Sequence, residues 1–195
     1  GRPARIRSTA PSLTVGPRPF GWVYTPPVNG PAGYFLTFTT YGTRLHGDPR
    51  GSVLRHENAV GTPAFAPNPV RNRFERELMP TSPMRFTEDQ RRTVAAAIAE
   101  VCEHRHWRLH AVNVRTNHVH VVVTSAAPID QVLNAFKAYA TRKLRGSALL
   151  KEHDRAWARH GSTRFLRDEQ DVIDAVSYVM DYQGEGLGGT IGPGD

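Results

Sequence analysis

The sequence has little cysteine, no long apolar run and no heptad repeat, and each absence excludes a class of protein. Cys102 is the only cysteine among 195 residues, so neither an intramolecular disulfide framework nor a cysteine-rich zinc module is available to this sequence. A reducing, cytoplasmic environment is the natural expectation. The lack of a membrane-length apolar run and of a heptad tract excludes the transmembrane and coiled-coil classes, so we expect no membrane partner.

Acidic residues are scarce in the first 160 positions. Residues 1–70 contain 7 basic and 2 acidic side chains, residues 71–160 contain 16 and 9, and residues 161–195 contain 2 and 7. The formal net charge of +7 is therefore the sum of a basic body (+12) and an acidic tail (−5). Such a body favours a polyanionic partner, nucleic acid above all, although a soluble domain that merely happens to be basic has the same composition.

Proline and glycine divide the chain into segments. Residues 1–32 contain seven prolines, which remove backbone donors, so we predict an irregular N-terminal arm. The length favours a single domain, which we assign to residues 33–186, followed by a glycine-rich tail at 187–195. Within that domain, residues 41–84 show little periodicity and are predicted to be irregular.

The other stretches alternate between strand and helix patterns. The sequence TEDQ from Thr87 offers a capping box, and apolar residues follow it at helical spacing. The patterns predict an α+β class, with helices on one face of an antiparallel sheet. Strands are predicted at 34–40, 107–115, 118–124 and 163–166, and helices at 88–104, 128–145 and 168–183.

His118 and His120 are the first candidates for chemistry. Alternate residues of a strand share a face, so both imidazoles project together while Val119 points into the core. Two ring nitrogens at this spacing can bind one divalent cation, Mg²⁺ or Mn²⁺, and leave positions open for phosphate oxygen and water. The alternative is a polar, solvated strand face.

A basic helix with a tyrosine follows about twenty residues later. Tyr139 lies between Lys137 and the pair Arg142 and Lys143, and nearby cations and a polarised phosphate can make a phenol an effective nucleophile. The alternative is a core position, because Tyr139 shares the apolar stripe of Phe136.

Together these motifs resemble the HUH-type Y1 transposases, and most closely the REP-associated tyrosine transposase (RAYT-like) branch of the IS200-like group. The resemblance covers about residues 33–186. It rests on several motifs in the family's order, namely YFLTFTTYGTRLHGDPRGSV (34–53), TNHVHVVV (116–123), FKAYATRKLR (136–145), RAWARHGSTRFL (155–166) and SYVMDYQGE (177–185).

The resemblance implies a ferredoxin-like HUH fold and metal-dependent cleavage and rejoining of single-stranded, hairpin-bearing, REP-like DNA. His118 and His120 would hold the metal, and Tyr139 would form a 5′-phosphotyrosine and release a 3′-OH. Tyr178 and Tyr182 are outside candidates as nucleophile. Members of the family often have Gln or Asn one turn after the nucleophile as a third ligand. Here Lys143 occupies that position, which leaves Gln131 or Asn134 as candidates.

Binding of DNA is expected from residues in the glycine-rich loop, the β-turn and the basic helix. The candidates are Arg44, His46, Arg50, Asn117, Lys137, Arg142, Lys143 and Arg145. The resemblance further implies a homodimer, with a monomer as the alternative, and a bacterial, nucleoid-associated location. Two rival functions stay open, a non-catalytic (domesticated) nucleic-acid-binding protein with the same fold, and an HUH replication initiator or relaxase.

Overall fold

The sheet is built from five antiparallel strands. The computed structural model describes residues 13–15, 30–43, 45 and 68–181, and of residues 13–15 and 181 only the backbone. The strands are β1 (Leu13–Val15), β2 (Gly33–Thr40), β3 (Arg108–Val114), β4 (His118–Thr124) and β5 (Trp157–Leu166). Their order in the sheet is β1-β3-β4-β2-β5. The predicted α+β class with an antiparallel sheet is confirmed.

The connections between the strands follow the ferredoxin-like pattern. Helix α2 (Glu88–His104) links β2 to β3, and helix α3 (Ile129–Gly146) links β4 to β5. The order is therefore βαββαβ, with the β4 strand placed between β2 and β3 and antiparallel to both. The short β1 strand extends the sheet beside β3.

Residues of β4 alternate between the two faces of the sheet. Val119, Val121 and Val123 are fully buried and pack into the larger core cluster, whereas Val122 belongs to a second, smaller cluster. His118 and His120 share a face with Val122, because side chains two residues apart in a strand point the same way. We call the two sides the valine face and the histidine face.

Helices α2 and α3 cover the valine face. The predicted capping box begins α2: Thr87 Oγ1 accepts from Gln90 N at 3.3 Å, and Thr87 N donates to Gln90 Oε1 at 2.8 Å. Val94, Ile98 and Val101 of α2 are fully buried at helical spacing. Residues of α3 that recur every four positions complete the core, namely Val132, Phe136, Ala140 and Leu144.

A further helix, α4 (Glu169–Asp181), lies on the histidine face. Its Val172 and Val179 side chains are buried in the smaller cluster with Ala111, Val122 and Leu166. Asn113 Nδ2 of β3 donates to the carbonyl oxygen of Val179 at 3.1 Å. The prediction that the helices lie on one face is therefore wrong, because the apolar residues of the histidine face also need a cover.

Three segments differ from the sequence prediction. Strand β5 begins at Trp157 rather than at 163. Its first residues were not predicted, because most residues of β5 are at least partly exposed and show no apolar alternation. Helix α1 (Pro69–Glu77) lies inside the stretch predicted to be irregular, and its cap is Asn68, whose side chain accepts from Arg71 N at 2.9 Å. Strand β1 likewise lies inside the predicted arm. No helix in the described part of the chain is long and apolar enough to span a membrane.

We expect Phe136→Ala to lower the free energy of unfolding by about 3–5 kcal/mol, because Phe136 of α3 is fully buried in the larger core cluster. Phe74→Ala is the matched control, since Phe74 of α1 is 60% exposed, and its effect should stay within about 0.5 kcal/mol. Chemical denaturation of both variants measures the difference. Equal losses would contradict the assignment of Phe136 to the core.

Candidate functional site

The two histidines of β4 lie side by side at the start of the strand. Their ring centroids are 4.8 Å apart and their planes are inclined by 76°. His120 is 7% exposed, and His118 is half-buried. The pair therefore has one ring inside the protein and one near its surface. The structure confirms the shared face that was predicted from the strand alternation.

Hydrogen bonds hold one nitrogen of each ring. His118 Nδ1 donates to Asn117 Oδ1 at 2.7 Å, because a carbonyl oxygen can only accept. Its Nε2 atom then carries the lone pair. His120 Nδ1 lies 2.8 Å from Thr37 Oγ1 of β2, and a hydroxyl oxygen that accepts there leaves Nε2 as the lone-pair atom of His120 too. Partners of this kind orient imidazoles that ligate metals.

The surroundings of His120 keep its ring neutral. Burial, together with the smaller effects of the His118 and Arg115 charges, lowers the pKa of His120 to about 3. A neutral imidazole is the form that coordinates a cation. Because the unfolded chain takes up this proton near pH 6.5, the contribution of His120 to stability is complete above that pH and is lost as the pH falls toward 3.

Tyr178 of α4 is the tyrosine that lies beside the histidine pair. Its ring centroid is 6.0 Å from that of His120, with the planes inclined by 84°. Phe35 of β2 stacks on His120 at 5.6 Å and meets the edge of Tyr178 at 5.8 Å. The four rings of Phe35, His118, His120 and Tyr178 therefore form one aromatic group on the histidine face.

Tyr139 lies on the other side of the sheet. It packs against the larger core cluster on α3, its ring centroid is 6.5 Å from that of His104, and the Arg142 guanidinium carbon is 4.5 Å from its ring centroid. Within one chain the structure does not bring the predicted nucleophile to the predicted metal ligands. The reason is that α3 covers the valine face of β4, from which the histidines point away.

The two further ligand candidates are separated from the histidines in the same way. Gln131 and Asn134 are exposed residues of α3 and share its side of the sheet. Among the described residues no group of three or more His, Cys, Asp or Glu is placed to hold a metal ion. The protein groups that fit a divalent cation here are thus the imidazoles of His118 and His120, and oxygen ligands would have to complete the coordination.

The ammonium group of Lys137 makes hydrogen bonds within the fold. Its Nζ atom donates to the carbonyl oxygens of Ala158 at 2.9 Å and His160 at 3.1 Å, which ties α3 to β5. Burial lowers the pKa of Lys137 to about 8. Lys137 was predicted to bind DNA, but its ammonium group instead links two elements of the fold.

The other predicted DNA-binding residues fall into three sets. Arg142, Lys143 and Arg145 are exposed on α3; Lys143 pairs with Glu100, and Arg145 donates to the Glu152 carbonyl. Asn117 orients His118, as described above, and its own carbonyl accepts from Thr40 N at 2.9 Å. The third set, Arg44, His46 and Arg50, lies outside the described residues, as does Tyr182.

Sequence reasoning missed three residues of the site. Phe35 and Thr37 come from β2, and Arg115 precedes β4 with its backbone N donating to His118 O at 2.8 Å. The alternation of YFLTFTT already indicates that Phe35 and Thr37 share a face. Only the register, in which Thr37 pairs with His120, shows which face that is.

Comparison with known proteins supports the predicted resemblance. Residues 82–166 match the family model described as "Transposase IS200 like", which confirms the resemblance to IS200-like transposases over that stretch. No curated protein matches the chain significantly. A Deinococcus radiodurans protein assigned to the transposases is 14% identical, with a TM-score of 0.43, over 84% of this chain and 95% of that one. A REP-associated tyrosine transposase bound to a REP hairpin is 14% identical, with a TM-score of 0.45, over 80% and 68%.

We expect the His120 ring to remain neutral down to about pH 5, with its proton on Nδ1, because the pKa is lowered to about 3 and Thr37 Oγ1 can accept. Nitrogen-15 chemical shifts of the imidazoles in a pH titration measure both properties. Thr37→Val removes the acceptor and should shift the tautomer toward Nε2–H. A titration midpoint near 6.5 for His120 would contradict the burial described here.

Proposed function

We propose, from the match of residues 82–166 to the IS200-like transposases, that this protein cleaves and rejoins single-stranded DNA at the histidine face, with Tyr178 as nucleophile. One observation carries the proposal: of the two tyrosine candidates described, Tyr178 has its ring 6.0 Å from that of His120, whereas Tyr139 has the sheet between itself and the histidines. The family match supports transposase-like processing of DNA in general. The residue roles are our own assignment.

The reaction assigned to Tyr178 is a transfer of one phosphodiester bond. The phenolic oxygen attacks the scissile phosphorus and loses its proton, an O–P bond forms to the tyrosine, and the bond to the 3′-oxygen breaks. The 3′-oxygen takes up a proton and becomes a free hydroxyl. Attack by a 3′-OH on the phosphotyrosine reverses these steps, so rejoining needs no external energy source.

The imidazoles of His118 and His120 are the groups that would hold a divalent cation, Mg²⁺ or Mn²⁺. The ion would supply positive charge to the non-bridging oxygens of the scissile phosphate. The chain's own contribution is to orient both rings through Asn117 and Thr37, and burial keeps the His120 ring neutral. Arg115, whose charge acts on His120, adds positive potential where the phosphate would lie.

Assigning the nucleophile to Tyr178 changes the search for a third ligand. The family resemblance puts a Gln or Asn about one helical turn after the nucleophile. Counted from Tyr139 that position is Lys143, an unsuitable ligand while charged. Counted from Tyr178 it is Tyr182, and Gln183 follows directly in the sequence. Both of these residues lie outside the described part of the chain, and Gln131 and Asn134 lie on the other side of the sheet from the histidines.

Single-stranded, hairpin-bearing DNA is the proposed partner. The basic body of the chain supports a polyanionic ligand, since clustered Lys and Arg bind phosphates irrespective of sequence. Arg142 and Arg145 are exposed cations of α3 on the valine face, and Arg164 is a 54% exposed cation of β5 on the histidine face. REP-like hairpins, assembly as a dimer and a nucleoid-associated location extend the same proposal.

A non-catalytic DNA-binding protein is the second candidate. It is favoured by one observation, that the described residues provide only two metal-ligating side chains at the site. The proximity of Tyr178 to His120 favours catalysis. A replication initiator or relaxase has no separate observation in its favour.

We expect wild-type protein to form a covalent adduct with labelled, hairpin-bearing single-stranded DNA in Mn²⁺ or Mg²⁺, visible on a denaturing gel. Tyr178→Phe removes the attacking oxygen and should abolish the adduct, whereas Tyr139→Phe, the matched control on the valine face, should retain it. The converse pattern would refute Tyr178. DNA binding without any adduct in either metal would favour the non-catalytic candidate.

Substitution of His118 should abolish cleavage and leave DNA binding largely intact. We expect His118→Ala to lose adduct formation and to keep a DNA dissociation constant within about threefold of wild type, because the phosphate contacts lie mainly elsewhere. Asn117→Ala should weaken activation by Mn²⁺ by about 10–100-fold, as the loss of an imidazole partner does. Titration of Mn²⁺ in the cleavage assay measures adduct formation and metal activation, and fluorescence anisotropy measures the DNA dissociation constant. Full activity of His118→Ala would exclude the proposed metal site.

A further inference from the structure

A small cavity opens on the histidine face next to Tyr178. Its volume is about 170 Å³, and it lies between β2, β5 and α4. The wall is mixed in character, with two aromatic rings, one guanidinium and two carboxylates. The lining residues are Phe35, Arg164, Asp171, Asp174, Ala175 and Tyr178.

The charge beside this cavity is unusual for a basic protein that handles DNA. Helix α4 carries four acidic residues and neither Lys nor Arg in its sequence EQDVIDAVSYVMD. Carboxylates repel phosphate, so the backbone of a DNA strand is poorly matched to this wall. The part of a nucleotide that suits it is the base, which is uncharged, flat and able to donate hydrogen bonds.

The two carboxylates of the cavity differ in how far they are already engaged. Asp171 Oδ2 accepts from the backbone N of Arg167 at 2.8 Å and lies 3.5 Å from its Nε, and Oδ1 lies 4.0 Å from Arg164. Asp174 accepts one hydrogen bond, from Gln170 Nε2 to Oδ1 at 2.9 Å. An ionised carboxylate can accept about four, so Asp174 is the acceptor with capacity for a ligand.

Arg164 supplies the donors. Its side chain is 54% exposed and its contact with Asp171 is at the outer limit of an ion pair, at 4.0 Å. In β5 it pairs with Phe35 across the sheet, so both side chains belong to the histidine face. A guanidinium has five N–H donors in a planar fork, which leaves Arg164 able to bind a ligand while it stays beside Asp171.

We propose that this cavity binds one unpaired guanine of the DNA strand, adjacent to the phosphate that Tyr178 attacks; the inference rests on the proposed function. Guanine has two acceptors, O6 and N7, beside two donors, N1–H and the N2 amino group. Arg164 is suited to the acceptors and Asp174 to the donors. Adenine and cytosine have an acceptor nitrogen where guanine has N1–H, so each can offer Asp174 only its exocyclic amino group, and thymine has a single N–H between two carbonyl oxygens. The exposed surfaces of Phe35 and Tyr178 add aromatic contact.

The experiment measures binding, in the presence of EDTA so that no cleavage occurs. Fluorescence anisotropy gives the dissociation constant of the full chain for a hairpin-bearing oligonucleotide, with guanine moved one position at a time through the unpaired flank. At one position we expect replacement of guanine by adenine to weaken binding at least about 10-fold. At that position inosine, which lacks the N2 amino group, and 7-deazaguanine, which lacks N7, should each weaken binding about 3–10-fold.

Two variants assign these losses to residues. In Asp174→Asn the dissociation constants of the guanine and inosine oligonucleotides should differ by less than twofold. In Arg164→Ala those of the guanine and 7-deazaguanine oligonucleotides should also differ by less than twofold. Arg164→Lys keeps a charge beside Asp171 but lacks the fork, so it should behave as Arg164→Ala does. The controls Glu103→Gln and Arg159→Ala make the same charge changes at exposed residues outside the cavity and should leave both differences intact.

The outcomes separate this proposal from the proposed function. Binding of all oligonucleotides with equal affinity at every position, or base discrimination that persists in Asp174→Asn and Arg164→Ala, would overturn the guanine site and leave the cleavage proposal standing. Absence of binding to any oligonucleotide would overturn both. Discrimination that disappears in the two variants and survives in the two controls would establish the site.

Discussion

The two-residue period of the β4 strand is the constraint on which the rest of the structure depends. Three valines and two histidines alternate along it, so the same seven residues supply the centre of the larger core on one side and the polar pair on the other. Strand geometry leaves no intermediate arrangement, because a shift by one residue would exchange the faces of every side chain. Burial of Val119, Val121 and Val123 therefore determines where His118 and His120 point.

This constraint also decides which tyrosine can act with the histidines. Helix α3 is the more basic of the two candidate helices in sequence, yet its apolar stripe, which includes Phe136, packs on the valine face. Helix α4 packs through Val172 and Val179 on the opposite face, and this orientation carries Tyr178 to His120. The position of each tyrosine follows from where its helix buries apolar surface.

Hydrogen bonds to neighbouring elements orient the polar groups on the histidine face. Burial of His120 would be costly without a partner for its ring nitrogen, and Thr37 provides one from the adjacent strand. Asn113, next to His120 in the sheet, donates to the backbone of α4 and joins that helix to the same surface. The site is therefore held from three elements at once, which is what a metal-ligating or catalytic group requires for fixed geometry.

Local patterns were sufficient for much of the fold. The capping box of Thr87 and Gln90 and the alternation of HVHVVVT predicted the start of α2 and the extent of β4, because both depend on residues close together in the chain. The histidine pair was also readable in this way. Strand β5 and helix α1 were not, since few of their residues are buried and neither has a clear apolar period.

By itself, the sequence determined most of the element types, the histidine pair and the basic character of the chain, since these depend on composition and on neighbours a few residues apart. Only the tertiary structure decided that α4 rather than α3 adjoins the histidines, that Thr37 supports His120, and that Arg164 and Asp174 line one cavity. These relations depend on strand order, register and the side of the sheet on which each helix packs. Thr37 and His120, for example, are 83 positions apart in the sequence, and a local pattern carries no information about such a contact.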